Sequence, residues 1–462
     1  MLFNSYQFLF LFLPITFFVF FLLGNTLKQK TAARIFLTLA ALFFYGNWNW
    51  NYLILILGFI VFNFIIGTLL SRHRQFWLLI IGNAVNLALL GYFKYTNFAV
   101  ETLNKFHIPA TWPEVMLPLA ISFFTFQQIG FLVECYRGNI KKFTILDHAW
   151  LVTFFPHLIA GPIVQFNDVV PQFKDPNVTR INTKNIALGL AIFTLGLCKK
   201  VLIADHLSSW AGDLFNSPYS ATFFDAWKGV LAYTFQIYFD FSGYSDMAVG
   251  LARLFNINLC INFNSPYKAV SIIDFWRRWH ISLSRFLRDY LYFPLGGNKK
   301  GPIRRYVNLM IVMILGGLWH GAGWRFMIWG GLHGTFLCIN HFWNDHIKKP
   351  IHPILAQLIT FICVITAWVF FRALSVGHAI HVIKKMFLID FSEFTLNNLL
   401  KYRFAFLILF LIYAATLKIP ETIAFVDNKM KFKTISAIMI GLLFGLAILF
   451  IQGRSEFLYF KF

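Results

Sequence analysis

Charge is what this chain has least of. Only 13% of its 462 residues are Asp, Glu, Lys or Arg, against about 25% in an ordinary soluble domain. Hydrophobic residues make up 58% and the mean hydropathy is +0.65, which excludes a water-soluble globular protein and leaves a multi-pass membrane protein. Acid is scarcer than base: 19 Asp and Glu stand against 40 Lys and Arg, a net charge of +21. On a soluble protein that excess would point to nucleic acid. In a membrane protein it belongs in short cytoplasmic loops, so no nucleic-acid partner is expected. The five cysteines, Cys135, Cys198, Cys260, Cys338 and Cys363, are dispersed and form no CxxC pair, which excludes a disulfide framework and a cysteine metal site. GxSxG, HExxH and the P-loop are also missing, and with them the usual catalytic motifs of soluble enzymes. The opening MLFNSY has no Lys or Arg and no small-residue cleavage site follows. The first apolar stretch therefore reads as a retained helix rather than a signal peptide.

What is present is length of apolar sequence. A bilayer-spanning helix needs about 20 mostly apolar residues. Such stretches lie near 7–24, 32–46, 52–70, 76–93, 115–134, 185–203, 221–239, 303–320, 324–342, 353–371, 403–419 and 434–452, with shorter pieces near 150–165 and 246–256. They are too long and continuous for barrel strands, so the expected fold is all-α, with roughly ten to thirteen transmembrane or re-entrant helices. No internal repeat, low-complexity linker or soluble domain interrupts them, and a single membrane domain over 1–462 is the simplest partition. Lys28, Lys30 and Arg34 follow the first stretch, Arg72 and Arg74 follow the third, and NWNWN (47–51) between them is uncharged. The positive-inside rule then places the N-terminus outside the cell. YRGNIKK (136–142) and GNKKGPIRR (297–305) join the cytoplasmic side.

Between about 120 and 340 the apolar runs are broken by polar and glycine-rich pieces: ISFFTFQ (121–127), FFPHLIAGP (154–162), YFDFSGYSDMAVG (238–250), FWRRWHISLSRFLRDY (275–290) and GGLWHGAGWRFMIWGGLHG (316–334). Irregular backbone at membrane depth is tolerated only where protein or a water-filled cavity surrounds it, so a cavity is expected in this core. Residues 275–290 read as one amphipathic helix, with Trp276, His280, Leu283 and Leu287 on one face and Arg278, Arg285 and Arg288 roughly opposite. Arg285 and Asp289 are spaced to pair, a contribution of about 0.2–0.5 kcal/mol. His280, taken alone, is most simply a histidine satisfied by a neighbouring acceptor.

His320 is different. A helix from Arg305 to His320 rises about 22 Å, which sets His320 deep in the membrane, where an ionisable residue is a functional candidate by default. Gly316, Gly317, Gly321 and Gly323 flank it, and glycine lets a ligand or another backbone approach closely; the reading favoured is that they let substrate in. On one straight helix His333 would lie roughly 20 Å further on and about 140° round. GAGW is expected to break that helix, and His333 to pack. Asp240 and Asp246 do not share a helix face, so a pair between Asp246 and Arg253 and a cap around Asp240 and Ser242 are the expected roles. His157 is expected to cap the turn before AGP (160–162), and Cys338 to lie in the core.

A buried histidine needs few accessories to move an acyl group. It can take the proton of a hydroxyl attacking a thioester, and base catalysis supplies on the order of 10²–10⁴-fold. Lys299, Lys300, Arg304 and Arg305 can attract the phosphates of a coenzyme A donor. Two other classes fit the same histidines: proton-coupled transport, and haem ligation by His280 and His320.

WRRWHISLSRFLRDYLYFPLGGN (276–298) followed by GGLWHGAGWRFMIWGGLHG (316–334) resembles the membrane-bound O-acyltransferase (MBOAT) family. The resemblance extends to MLFNSYQFLFLFLP at the start, to ISFFTFQ, IAGPI and FDFSGYSDMA, and to FLYFKF at the end, so it covers essentially the whole chain. It is closest in character to the bacterial branch that O-acetylates exported polysaccharides such as alginate or peptidoglycan, with D-alanyl transfer to teichoic acids nearby. The resemblance implies a funnel leading to a buried histidine. It puts the family's invariant histidine at His320 and its second motif histidine at His280. It implies no permanently bound cofactor and no metal, acetyl-CoA as the cytoplasmic donor, an extracytoplasmic polysaccharide-modifying partner protein, and a place in the bacterial inner membrane among its lipids. Trp276, Arg278, Arg285, Asp289, Asn298 and Trp319 in the same two motifs are the candidate substrate or donor contacts.

Overall fold

The computed structural model describes residues 1–430, 433–451 and 457–458; the last four residues of FLYFKF lie outside the described residues. Every regular element among the described residues is helical. Among the described residues six helices are long and apolar enough to cross a membrane: α1 (Phe8–Thr26), α3 (Asn51–His73), α4 (Phe76–Lys105), α9 (Thr183–Asn216), α15 (Pro353–Arg372) and α17 (Leu396–Lys418). The other apolar stretches form shorter or more polar helices. These are α2 (Lys30–Gly46), α5 (Ile121–Arg137), α10 (Phe223–Leu254), α13 (Gly301–His320), α14 (Trp324–Phe342) and α19 (Thr434–Leu449). Between them lie the short helices α6 (Ile145–Thr153), α7 (Phe155–Leu158), α8 (Phe166–Lys174), α11 (Ile272–Arg278), α12 (Ile281–Leu287), α16 (Val376–Phe387) and α18 (Thr422–Asn428).

The chain divides into two compact units. The first comprises Met1–Leu197, Tyr244–Ile261 and the segment from Val426. Its helices use polar pairs as adhesive: Asn63 on α3 and Asn86 on α4, both fully buried, exchange amide hydrogen bonds of 3.0 and 2.7 Å. Between lipid-embedded helices, where apolar association has little driving force, such bonds hold the pair. Thr144 and Asp147 form a capping box that starts α6, as the sequence Thr-x-x-Asp allows. His157 donates its Nε2–H to the Leu151 carbonyl at 2.8 Å, closing the turn before AGP. Arg253 pairs with Asp427 at 3.3 Å, not with Asp246 as its spacing suggests: seven residues on a helix is two turns, and a chain distant in sequence comes closer.

The second unit comprises Cys198–Gly243 and Asn262–Phe425. Asp240 and Ser242 lie inside α10 and cap nothing. Asp240 instead meets Lys200 at 2.5 Å, and Lys200 also reaches Asp205 at 2.9 Å. Lys200 and Asp240 are both 2% exposed, so each charge depends on the other for its solvation.

The centre of this unit is the hairpin of α13 and α14, turned by Gly321, Ala322 and Gly323 where GAGW interrupts the helix. The glycines bring the two backbones together. A Cβ on Gly317 would stand 2.2 Å from the Phe326 carbonyl oxygen, and one on Gly330 would stand 2.2 Å from that of Met313. At Gly321 the space a Cβ would need is filled by the Phe326 ring. The expectation that these glycines admit substrate is therefore corrected for Gly317 and Gly321: protein occupies their close-approach space, as in small-residue helix packing.

Candidate functional site

The sequence between Asn262 and Leu287 builds the first half of the site. Residues 275–290 do not form one helix, because the chain breaks between α11 and α12. His280 takes the left-handed conformation, φ 44° and ψ 57°, as it starts α12. A non-glycine residue there is uncommon and needs support from its surroundings. The support is an irregular segment running alongside: Ile281 donates its N–H to the Asn262 carbonyl at 2.9 Å, and Asn264 donates to the Arg278 carbonyl at 2.9 Å. The break corrects the helical-face assignment. Trp276 and His280 no longer share a face; Trp276 packs on His333 and Trp329, while His280 sets its edge against Phe241 at 4.8 Å.

His280 is fully buried, and its Nδ1 lies 3.1 Å from the side-chain oxygen of Asn262. The same oxygen accepts from the Ser282 N–H at 3.2 Å and the Ser282 hydroxyl at 2.9 Å. A backbone N–H can only donate, so the Asn262 atom it meets is the carbonyl oxygen and not the amide nitrogen. That oxygen can only accept, so the proton in the His280 bond sits on Nδ1. In the neutral ring Nε2 then carries the lone pair. Asn262 thus sets the tautomer of His280.

The second half is the end of α13. His320 is its last residue and is 3% exposed. Its ring centroid lies 6.5 Å from that of His280. Trp319 lies within 6.1 Å of His280 and 4.9 Å of His320. Trp329 and Phe371 present edges to His320 at 5.0 and 5.3 Å. Aromatic walls on this scale exclude bulk water and strengthen any interaction of the two imidazoles with a bound group. Because α13 and α14 fold back on each other, His333 comes near as well: Trp329 stands between the two, 4.8 Å from His333. His333 is fully enclosed by aromatic rings, in keeping with a packing role.

The remaining predicted contacts sort by what they touch. Trp319 belongs to the histidine pair. Arg278 is held by Asp274 at 2.8 Å. Arg285 reaches Asp289 at 3.8 Å, the expected spacing, but Asp289 also takes a 2.8 Å bond from Arg288. Asn298 is exposed in the turn before α13, and the helix between it and His320 is about 28 Å long, so the two do not meet. At that same far end Lys299, Lys300 and Arg304 are exposed. Arg305 is committed to Asp345, whose carboxyl it holds below the usual carboxylate range, which takes Arg305 out of the set available to a phosphate. Asn262, Trp329 and Phe371 went unnoticed in sequence. Only Asn262 left a trace there, as one of four asparagines, Asn256, Asn258, Asn262 and Asn264, in the run before SPY. Among the described residues no group of three or more His, Cys, Asp or Glu is placed to hold a metal.

Residues 35–379 match the membrane-bound O-acyltransferase family. The chain is 42% identical to a peptidoglycan O-acetyltransferase of Helicobacter pylori, over all of this chain and 98% of that protein. It is 42% identical to a probable alginate O-acetylase, AlgI, of Pseudomonas aeruginosa, over 86% of this chain and 77% of the relative. A teichoic acid D-alanyltransferase of Streptococcus thermophilus is 30% identical over 49% of this chain and 57% of its own length.

Proposed function

Because this chain belongs to the membrane-bound O-acyltransferase family and is a membrane acyltransferase, we propose that it moves an acetyl group from cytoplasmic acetyl-CoA across the membrane, for O-acetylation of an exported cell-surface polysaccharide of the peptidoglycan or alginate kind. The observation that carries this reading is the buried pair His280 and His320, 6.5 Å apart within aromatic walls. His320 accepts the proton of the attacking hydroxyl as its oxygen bonds to the thioester carbonyl carbon. The carbon–sulfur bond then breaks, and the proton passes to the leaving thiolate. His280, its Nδ1 proton held by Asn262, directs the Nε2 lone pair for positioning the acceptor hydroxyl. Trp319 lies against both rings.

The exposed Lys299, Lys300 and Arg304 suit the donor's phosphates at the opposite end of α13. The chain works as one membrane domain in the bacterial inner membrane, N-terminus outside, and hands the acetyl group to an extracytoplasmic partner that modifies the polymer. D-alanyl transfer is the second reading, supported by the 30% identity to a teichoic acid D-alanyltransferase. The test is acetate released by base from the surface polysaccharide of cells lacking the protein. Wild type should restore it, and His320→Ala, at matched membrane abundance, should not. Unchanged acetate on deletion would refute acetyl transfer, and recovery of esterified D-alanine in its place would select the second reading.

A further inference from the structure

The connection between two membrane-spanning helices of the second unit carries a groove that the acyl chemistry does not use. α15 ends at Arg372 and α17 starts at Leu396. Residues 373–395 therefore turn the chain round at one membrane face, the level where headgroups meet acyl chains. Most of this connection is α16, which Ser375 starts by accepting from the His378 N–H at 3.2 Å. Ala379, Val382 and Met386, spaced for one helical face, are buried. Trp227 on α10 fastens that face by donating its indole N–H to the Met386 carbonyl at 2.9 Å.

After α16 the chain doubles back through Asp390 and the 3₁₀ turn Phe391–Glu393. A groove of about 650 Å³ opens between this turn and the end of the helix, a volume in the range of small-molecule sites. Two kinds of side chain line it. Lys384 and Lys385 are on one side, with His381 a turn earlier. Lys384 is exposed and makes no hydrogen bond or ion pair with any described residue. Lys385 comes no nearer to Glu393 than 4.0 Å, and that carboxylate already accepts from the Phe223 N–H at 2.5 Å. Asp390 lines the groove as well, with one oxygen taken by the N–H and hydroxyl of Ser392 at 3.0 and 2.7 Å. Two lysines against one aspartate leave the lining cationic. The other wall is Leu388, Ile389 and Phe391, which are 68%, 51% and 81% exposed.

Cations beside bare apolar surface at a membrane face define what fits. A free anion would satisfy the lysines and leave the apolar wall uncovered. A neutral chain would cover the wall and leave the lysines without a counter-ion. An anionic phospholipid does both: its phosphate oxygens accept from the ammonium groups, and its acyl chains take the apolar wall out of water. We propose that the α16 groove binds an anionic phospholipid, the phosphate held by Lys384 and Lys385 and the acyl chains against Leu388, Ile389 and Phe391. The site does not depend on the acyl-transfer reading; the orientation proposed above puts it in the extracytoplasmic leaflet. It lies at the end of α15 where Phe371 meets His320 at 5.3 Å.

The test titrates the full chain in detergent with dimyristoyl phosphatidylglycerol, dimyristoyl phosphatidylcholine and inorganic phosphate, and counts bound molecules by native mass spectrometry. Wild type should bind the first phosphatidylglycerol about 10–30-fold more tightly than phosphatidylcholine, the size that two lysines contribute toward an anionic headgroup. Lys384→Gln with Lys385→Gln should remove that preference and leave phosphatidylcholine binding as it was. Leu388→Ser with Phe391→Ser should weaken both lipids. Lys418→Gln, at the opposite end of α17, should change neither. Equal binding of the two lipids by wild type, or an undiminished preference in the lysine variant, would overturn the site. So would displacement of phosphatidylglycerol by inorganic phosphate, which leaves an anion site without an apolar half. A wild-type dimer that Leu388→Ser with Phe391→Ser dissolves would give the face to a second copy of the chain. Loss of polysaccharide acetate from cells carrying the lysine variant, with lipid binding unchanged, would give it to the extracytoplasmic partner.

Discussion

Removing the side-chain oxygen of Asn262 should disable His280 without touching it. That oxygen accepts three hydrogen bonds, from His280 Nδ1 and from the N–H and hydroxyl of Ser282. In Asn262→Ala the Ser282 hydroxyl can rotate elsewhere, but the other two donors stay buried and unsatisfied. Each such loss costs about 1–3 kcal/mol, so the variant should be less stable by roughly 2–6 kcal/mol, and the left-handed turn at His280 should loosen. Without its acceptor the His280 proton can move to Nε2, which removes the lone pair directed at the acceptor. Turnover per folded molecule should then fall by on the order of 10²-fold, the lower range for a misplaced catalytic proton.

Asn262→Asp separates geometry from charge. It keeps an acceptor at the same position but adds a negative charge that favours imidazolium. A His280 whose proton affinity is raised becomes neutral only at higher pH, so the acid limb of the pH–rate profile should move upward and activity should recover as pH rises. The assay is thiol release from acetyl-CoA by purified protein, normalised to folded protein and run from pH 5.5 to 9, roughly the window in which an imidazole beside a carboxylate titrates. Wild-type turnover in Asn262→Ala, or an unmoved profile in Asn262→Asp, would refute the tautomer argument.

Three further outcomes follow from packing. Gly330→Ala should drive a Cβ against the Met313 carbonyl and lower membrane abundance, at a cost of about 1–3 kcal/mol or more, whereas Gly331→Ala, with nothing within 4 Å, should be neutral in the same thermal-shift measurement. His333→Ala should remove a fully buried ring and lower the unfolding temperature, with a loss of roughly 2–4 kcal/mol, while the folded fraction keeps its thiol-release rate; a stable but inactive variant would contradict the packing role. Asn298→Ala, about 28 Å along α13 from His320 and beside the exposed Lys299 and Lys300, should leave turnover at saturating acetyl-CoA unchanged, and a large loss there would mean that this end of the helix does more than bind the donor.

The membrane class and the helical fold were legible because apolar length is written directly in the sequence. The burial of His320 was legible for a related reason: a residue one helix length from a basic loop lies deep in the membrane. The break at His280 was not. A period of 3.6 runs unbroken through FWRRWHISLSRF, and only a tertiary partner, the segment from Asn262, turns the chain at that point. The pairing of Asp240 with Lys200 and of Arg253 with Asp427 was hidden for the same reason. Local spacing offers nearby partners, and the fold brings distant ones closer. Of the glycines around His320, Gly317 and Gly321 are places of close approach while Gly316 and Gly323 have only ordinary contacts, and sequence does not say what approaches. At Gly317 and Gly330 it is the facing helix.

The central claim is that His320 serves the acyl transfer itself, and thiol release from acetyl-CoA by the purified chain tests it most directly. At equal folded protein, His320→Ala should fall by about 10²–10⁴-fold, the contribution of a lost general base, with an unfolding temperature close to wild type. A His320→Ala protein that releases thiol at the wild-type rate would contradict the account.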